Sequence, residues 1–131
     1  MHRVSAEGEP LDVRPMFGPV FRRLIETMAP VVRTLVDGGN AVIFDHVLHD
    51  QGMMDSCTVA FAGLRVFSVG ITCDLAILEA RERARGDRVL GRARGLVDVV
   101  HGFCAYDLTV DSGQLGPEAC VDRVVSALHG V

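Results

Sequence analysis

Lysine is absent from this 131-residue chain, and all 13 of its basic residues are arginine. A phosphate-binding loop of the form G-x-x-x-x-G-K-[ST] is therefore excluded, however degenerate. Positive charge in excess is missing too. The 17 Asp and Glu residues give a formal net charge of -4, and a chain without a basic face is no generic nucleic-acid coat. No apolar run approaches the ~20 residues of a membrane span, so no membrane partner is expected. Met1, His2, Arg3, Val4, Ser5, Ala6 and Glu7 hold no apolar stretch of signal-peptide length, and a cytoplasmic protein is expected. Cys57, Cys73, Cys104 and Cys120 form no C-x-x-C pair. Three of them sit in apolar stretches, so reduced, buried thiols are expected rather than a metal or redox site. No internal repeat or low-complexity segment is present.

What remains is a chain built to bury a core. Forty-nine per cent is hydrophobic and mean hydropathy is +0.29, too apolar for intrinsic disorder. At 14.1 kDa the length suits one domain over 1–131. Residues 1–15 are polar with two prolines and read as an extended arm or loop. From Val20 to Val36 apolar positions recur at helical spacing, and Pro30 predicts a kink or a restart. Asp37-Gly38-Gly39-Asn40 ends that helix. Ala41-Val42-Ile43-Phe44, followed by Asp45-His46, predicts a central parallel strand with an acid at its C-terminal end.

Residues 47–61 read as helical, and 64–73 as a second strand. Asp74 caps a helix from Leu75 to about Ala84. Tyr106 to Asp111 alternates as a third strand, with Asp107 facing solvent and Asp111 capping a turn. Pro117 opens a last helix. Helices alternating with strands predict an α/β layered parallel sheet with right-handed crossovers. Ligands of such sheets sit at the C-terminal ends of the strands, where Asp45 and Cys73-Asp74 emerge.

The most informative stretch is Arg81-Glu82-Arg83-Ala84-Arg85-Gly86-Asp87-Arg88, continuing to Gly91-Arg92. Guanidinium groups converging from one side grip phosphate oxygens bidentately and neutralise charge during transfer. The competing reading is a solvated helix face in which Glu82 and Asp87 pair with the arginines. A glycine interrupting the run after a strand–helix unit favours an arginine lid over 81–95. Three lesser patterns have plainer explanations. His46, His49 and Asp50 are awkwardly spaced for a metal site. His101 has no Ser or Cys partner in sight. Met53 and Met54 read as core rather than as a pocket lining.

Cys73-Asp74, Glu79, Arg81-Glu82, Ala84 to Arg88 and Gly91 resemble the lid segment of the chloramphenicol phosphotransferase family. Val100-His101, Tyr106-Asp107 and Val110-Asp111 recur at that family's spacing. Gly18-Pro19, Phe21, Leu24, the helix to Gly39, Asp45-His46-Val47-Leu48 and Ser5-Ala6-Glu7-Gly8 are similar to it as well. The likeness covers about residues 5–131. It implies a P-loop kinase that moves the γ-phosphate of ATP onto a hydroxyl of an antibiotic-like small molecule. By resemblance, Arg85 and Arg88 are the catalytic lid arginines on the triphosphate, and Arg81 is a lesser member. Asp45 resembles the acid that holds Mg2+ through water, while its plainer reading is a helix cap.

The family also carries a first strand, a phosphate loop with its helix, and a second strand with an Asp suited to act as base. This chain has no counterpart to them. The resemblance therefore implies a three-layer parallel sheet of P-loop kinase type that is incomplete, with its first two strands and phosphate loop absent. A sheet with such a gap favours self-association into a homo-oligomer. The expected function is ATP-dependent O-phosphorylation of a chloramphenicol-like acceptor, as in antibiotic inactivation, with little activity from this truncated chain alone. The alternative is a non-catalytic remnant that binds nucleotide weakly or only packs with partners.

Overall fold

Pro19 opens the first helix, α1 (Pro19–Asp37), at the position where a missing N–H costs nothing. In the computed structural model, which describes residues 18–87 and 89–130, this helix runs through Pro30 unbroken. The expected restart does not occur, and the Thr34 hydroxyl donates to the Pro30 carbonyl at 3.0 Å. Gly39, with φ +88°, ends the helix by donating to Val36 O. The arm expected at 1–15 lies outside the described residues.

The chain divides into two compact units. In the first, residues 18–66 with Val99–Cys104, α1 packs against α2 (Gln51–Ala60). Asp50 starts α2 by accepting from Met53 N at 3.0 Å. Arg33 closes its other end, donating through Nη1 to the carbonyls of Ala60 and Ala62 while Nε binds Asp37. A cation on the last carbonyls of a helix suits the negative end of its dipole. Ala29 and Met53 are buried here, which agrees with the core reading of Met53.

The strand expected at 41–44 does not form. Residues 41–47 alternate between exposed and half-buried, as extended chain does, but no strand among the described residues pairs with them. A strand exists only through its ladder, and apolar residues alone do not supply one. Ile43 is 98% exposed. Phe44 turns to its own unit, stacking on His46 (centroids 5.1 Å apart) and meeting Phe61 edge-on.

The second unit comprises Phe67–Asp98 with residues 105–130. Its centre is a parallel pair, β1 (Val69–Thr72) and β2 (Leu108–Asp111), with Val69 opposite Leu108 and Thr72 opposite Asp111. Both strands are shorter than expected because the ladder is only four residues long. Asp107 locks its start, accepting from Ser68 N at 2.7 Å and Ser68 Oγ at 2.8 Å. Val110 is fully buried.

Between the strands run α3 (Leu75–Arg85) and the five-residue α4 (Arg92–Leu96); α5 (Pro117–His129) follows β2 and packs on it. Asp74 caps α3 through Ala76 N at 2.8 Å, as the sequence predicts. Asp111 caps the turn after β2 through Gly113 N. The architecture is α/β: five helices and a two-stranded parallel sheet among the described residues. The four cysteines are free thiols but half-buried rather than buried. No described helix is long and apolar enough to cross a membrane.

Candidate functional site

Parallel strands bring their C-terminal ends to one edge, and the loops leaving that edge carry the chemistry. Here β1 leads into Cys73-Asp74 and β2 into Ser112-Gly113. The two loops are tied: Thr72 O accepts from Ser112 N at 2.9 Å and from Ser112 Oγ at 3.1 Å. Space is tight there: a Cβ on Gly113 would stand 3.0 Å from Ile77 Cδ1, 3.1 Å from Asp111 Oδ1 and 3.2 Å from Cys73 Sγ.

Arg81 reaches back from α3 to this edge. Its Nη2 donates to Ser112 O at 2.7 Å, and its Nη1 to Ser112 Oγ at 3.3 Å and Cys73 Sγ at 3.7 Å. The guanidinium thus joins α3 to the ends of both strands. A residue read as a lesser phosphate contact is first a structural brace. Nothing in the spacing of the arginine run singles it out, since Ser112 is 31 residues away.

Arg85 lies in the last turn of α3, just before Gly86, whose φ of +70° ends the helix. Its side chain is exposed and makes no hydrogen bond or ion pair among the described residues. Arg88 lies outside the described residues. Arg94, on α4, pairs with Glu79 of α3 at 2.8 Å. Glu82 does not pair with an arginine. It is buried and accepts from two backbone amides, Gly91 N and Ala93 N. The competing reading, a surface pair through Glu82, gives way to a tie between helices, because an inward carboxylate needs hydrogen-bond donors and these amides are free.

Asp45 belongs to the other unit, where it is exposed in the extended stretch before α2. It is not a helix cap; Asp50 fills that role. Burial pushes the neighbouring His46 imidazole below its ordinary pKa, partly opposed by the Asp45 charge. His46, His49 and Asp50 do not gather into a metal-ligand group among the described residues.

Residues 1–129 match the family model of the chloramphenicol phosphotransferase-like proteins, and the chain belongs to that family. Two Mycobacterium tuberculosis proteins are similar to it. They are "Putative O-phosphotransferase MT2714" (strain CDC 1551 / Oshkosh) and "Putative O-phosphotransferase Rv2636" (strain ATCC 25618 / H37Rv). Each is 31% identical over 110 residues, covering 83% of this chain and 48% of the relative. The chain spans about half the length of the curated relatives it matches.

Proposed function

We propose that this chain contributes the arginine-bearing part of an ATP-dependent O-phosphotransferase whose acceptor is a hydroxyl of a small, chloramphenicol-like molecule. Arg85 carries the reading. It is an exposed guanidinium without a partner among the described residues, at a glycine break after a strand–helix unit, in a chain of this family.

The residues suit the groups such chemistry needs. An unpaired guanidinium presents a planar fork of donors that matches phosphate oxygens and stays charged at any working pH. Asp45 offers one exposed carboxylate, which suits Mg2+, a small cation that keeps several waters and takes one or two carboxylates. In this reading Arg85 and Arg88 would hold the phosphate oxygens, with the remaining donors of Arg81 behind them. Asp45 would hold the hydrated metal. When bound, MgATP supplies the transferable phosphoryl group and the counter-charge on it. The chain's own arginines fix the position of the phosphate oxygens and neutralise charge as it builds. In GTPases an arginine in that role is worth ~10³–10⁵ in rate. With no lysine in its sequence, the chain alone is expected to turn over little.

The reading frame upstream of Met1 tests this directly. A G-x-x-x-x-G-K-[ST] segment within about sixty codons supports it, and stop codons oppose it. On the protein so encoded, Arg85→Ala should lower kcat for phosphoryl transfer to chloramphenicol about 100-fold or more. An effect below about threefold would remove the arginine assignment. On the chain as it stands, calorimetry with MgATP should show little or no heat. Micromolar affinity would mean that its own residues suffice to hold the nucleotide.

A second reading, packing against another polypeptide without catalysis, is favoured by the large apolar side chains each unit leaves in solvent. Ile43 and Val59 in one and Val121 in the other are examples.

A further inference from the structure

One carboxylate in the arginine-rich segment faces inward. Glu82 is 9% exposed, whereas every described residue from Arg83 to Leu90 is exposed. Its Oε2 accepts from Gly91 N at 2.9 Å and its Oε1 from Ala93 N at 3.1 Å. These amides open α4, whose N-cap, Gly91, has φ +90° and no side chain with which to cap it. Glu82 therefore does from α3 what a capping side chain does locally. Glu79, one turn earlier, holds Arg94. Two carboxylates of α3 thus bind α4 and hold its start against α3.

Arg85 and Arg92 are the last residue of α3 and the first of α4. Both are exposed, and neither has a partner among the described residues. Arg92 breaks a local rule, since a cation at a helix N-terminus opposes the dipole. A residue that breaks a local rule without a compensating contact is where a functional role is expected. The two oxygens of Glu82 explain why an acid is needed: a glutamine has one acceptor, and its amide group would oppose the second N–H.

We propose that Glu82 is a positioning residue that holds the start of α4 against α3, so that Arg85 and Arg92 face one polyphosphate-type anion. The identity of that anion as a nucleotide tail rests on the phosphotransferase reading; the clamp itself does not.

Hydrogen–deuterium exchange on the full chain tests the clamp without requiring activity. Glu82→Gln should raise exchange at residues 91–93 about tenfold, and Glu82→Ala should raise it further, with β1, β2 and α5 unchanged. A rise spread equally over β1 and β2, as a merely stabilising side chain would give, overturns the proposal. So does no rise at all. Inorganic tripolyphosphate then tests presentation. It should protect residues 86–93 in the unsubstituted chain, with apparent affinity about tenfold weaker in Glu82→Gln and in Arg92→Gln. Arg92→Gln removes a cation from the start of α4, so without the anion its exchange at residues 91–93 should stay level or fall; a rise would make Arg92 part of the clamp. No protection in the unsubstituted chain, or equal protection in Glu82→Gln, overturns the proposal. A tripolyphosphate site weakened by Glu82→Gln upholds the clamp whether or not the upstream frame encodes a G-x-x-x-x-G-K-[ST] segment, so the clamp and the kinase reading fail separately.

Discussion

The ring of Tyr106 fills the space that a side chain on Gly70 would need. A Cβ at position 70 would stand 2.5 Å from Cδ2 and 2.6 Å from Cε2 of the ring. Gly70 is buried in β1, so the ring cannot move off without opening the face of the sheet. Gly70→Ala is expected to lower stability by about 1–3 kcal/mol, the usual cost of forcing extra volume into packed structure. Urea unfolding checks it: the midpoint should fall with little change in slope. An unchanged midpoint would show that the ring moves aside freely.

Acid should weaken the start of the β1–β2 ladder. The two hydrogen bonds from Ser68 favour the charged form of Asp107 and hold its carboxyl below the ordinary range. The unfolded chain therefore takes up this proton at a higher pH than the folded chain. Stability from this contact is complete above the unfolded pKa and is lost as pH falls through the folded one. Measured between about pH 5 and pH 2, Asp107→Asn should have a shallower acid decline than the unsubstituted chain. Identical acid limbs would remove Asp107 as a cause.

Arg81 and Arg85 should separate in their effects. Arg81→Met removes the brace to Ser112 and should cost about 1 kcal/mol in urea unfolding, modest because the group is exposed. Arg85→Met breaks no contact among the described residues, so its stability should stay within about 0.5 kcal/mol. Equal losses in both variants would make Arg85 structural and withdraw it from the phosphate site.

Cys57 should be the slow thiol. Burial pushes its pKa up, with the neighbouring Cys104 thiol adding to the rise. Only the thiolate reacts, so alkylation by iodoacetamide near neutral pH should run about tenfold slower than for a free cysteine peptide. Peptide mass spectrometry after timed labelling reads the rate directly. Labelling at the free-peptide rate would contradict the burial.

Elements fixed by local contacts were readable from the sequence. The apolar spacing from Val20 to Val36 marks α1, Asp74 marks the start of α3, and Pro117 marks α5. What depends on distant partners was not. Ala41 to Phe44 has the composition of a strand, yet nothing in the segment says whether a neighbour will pair with it. The contacts of the five-residue α4 are of the same kind: its amides and Arg94 are held by acids on α3, so glycine- and arginine-rich sequence alone gives no sign of a helix there. In the candidate site, the exposure of Arg85 follows from its place after a helix and before a glycine. The inward turn of Glu82 does not, since a carboxylate among arginines reads as a surface pair until Gly91 and Ala93 are seen against it.

The register of the small sheet bears on how the chain folds. Each residue of β1 meets a partner 39 positions later in the sequence, so no strand pairing is possible until a long stretch of chain has closed on itself. Closing that stretch carries an entropic cost which only the finished ladder offsets. Helices α1 and α2 are neighbours along the chain and need no such closure. Refolding should therefore be biphasic, with helical signal returning first and the environment of Tyr106, beside Gly70, settling later.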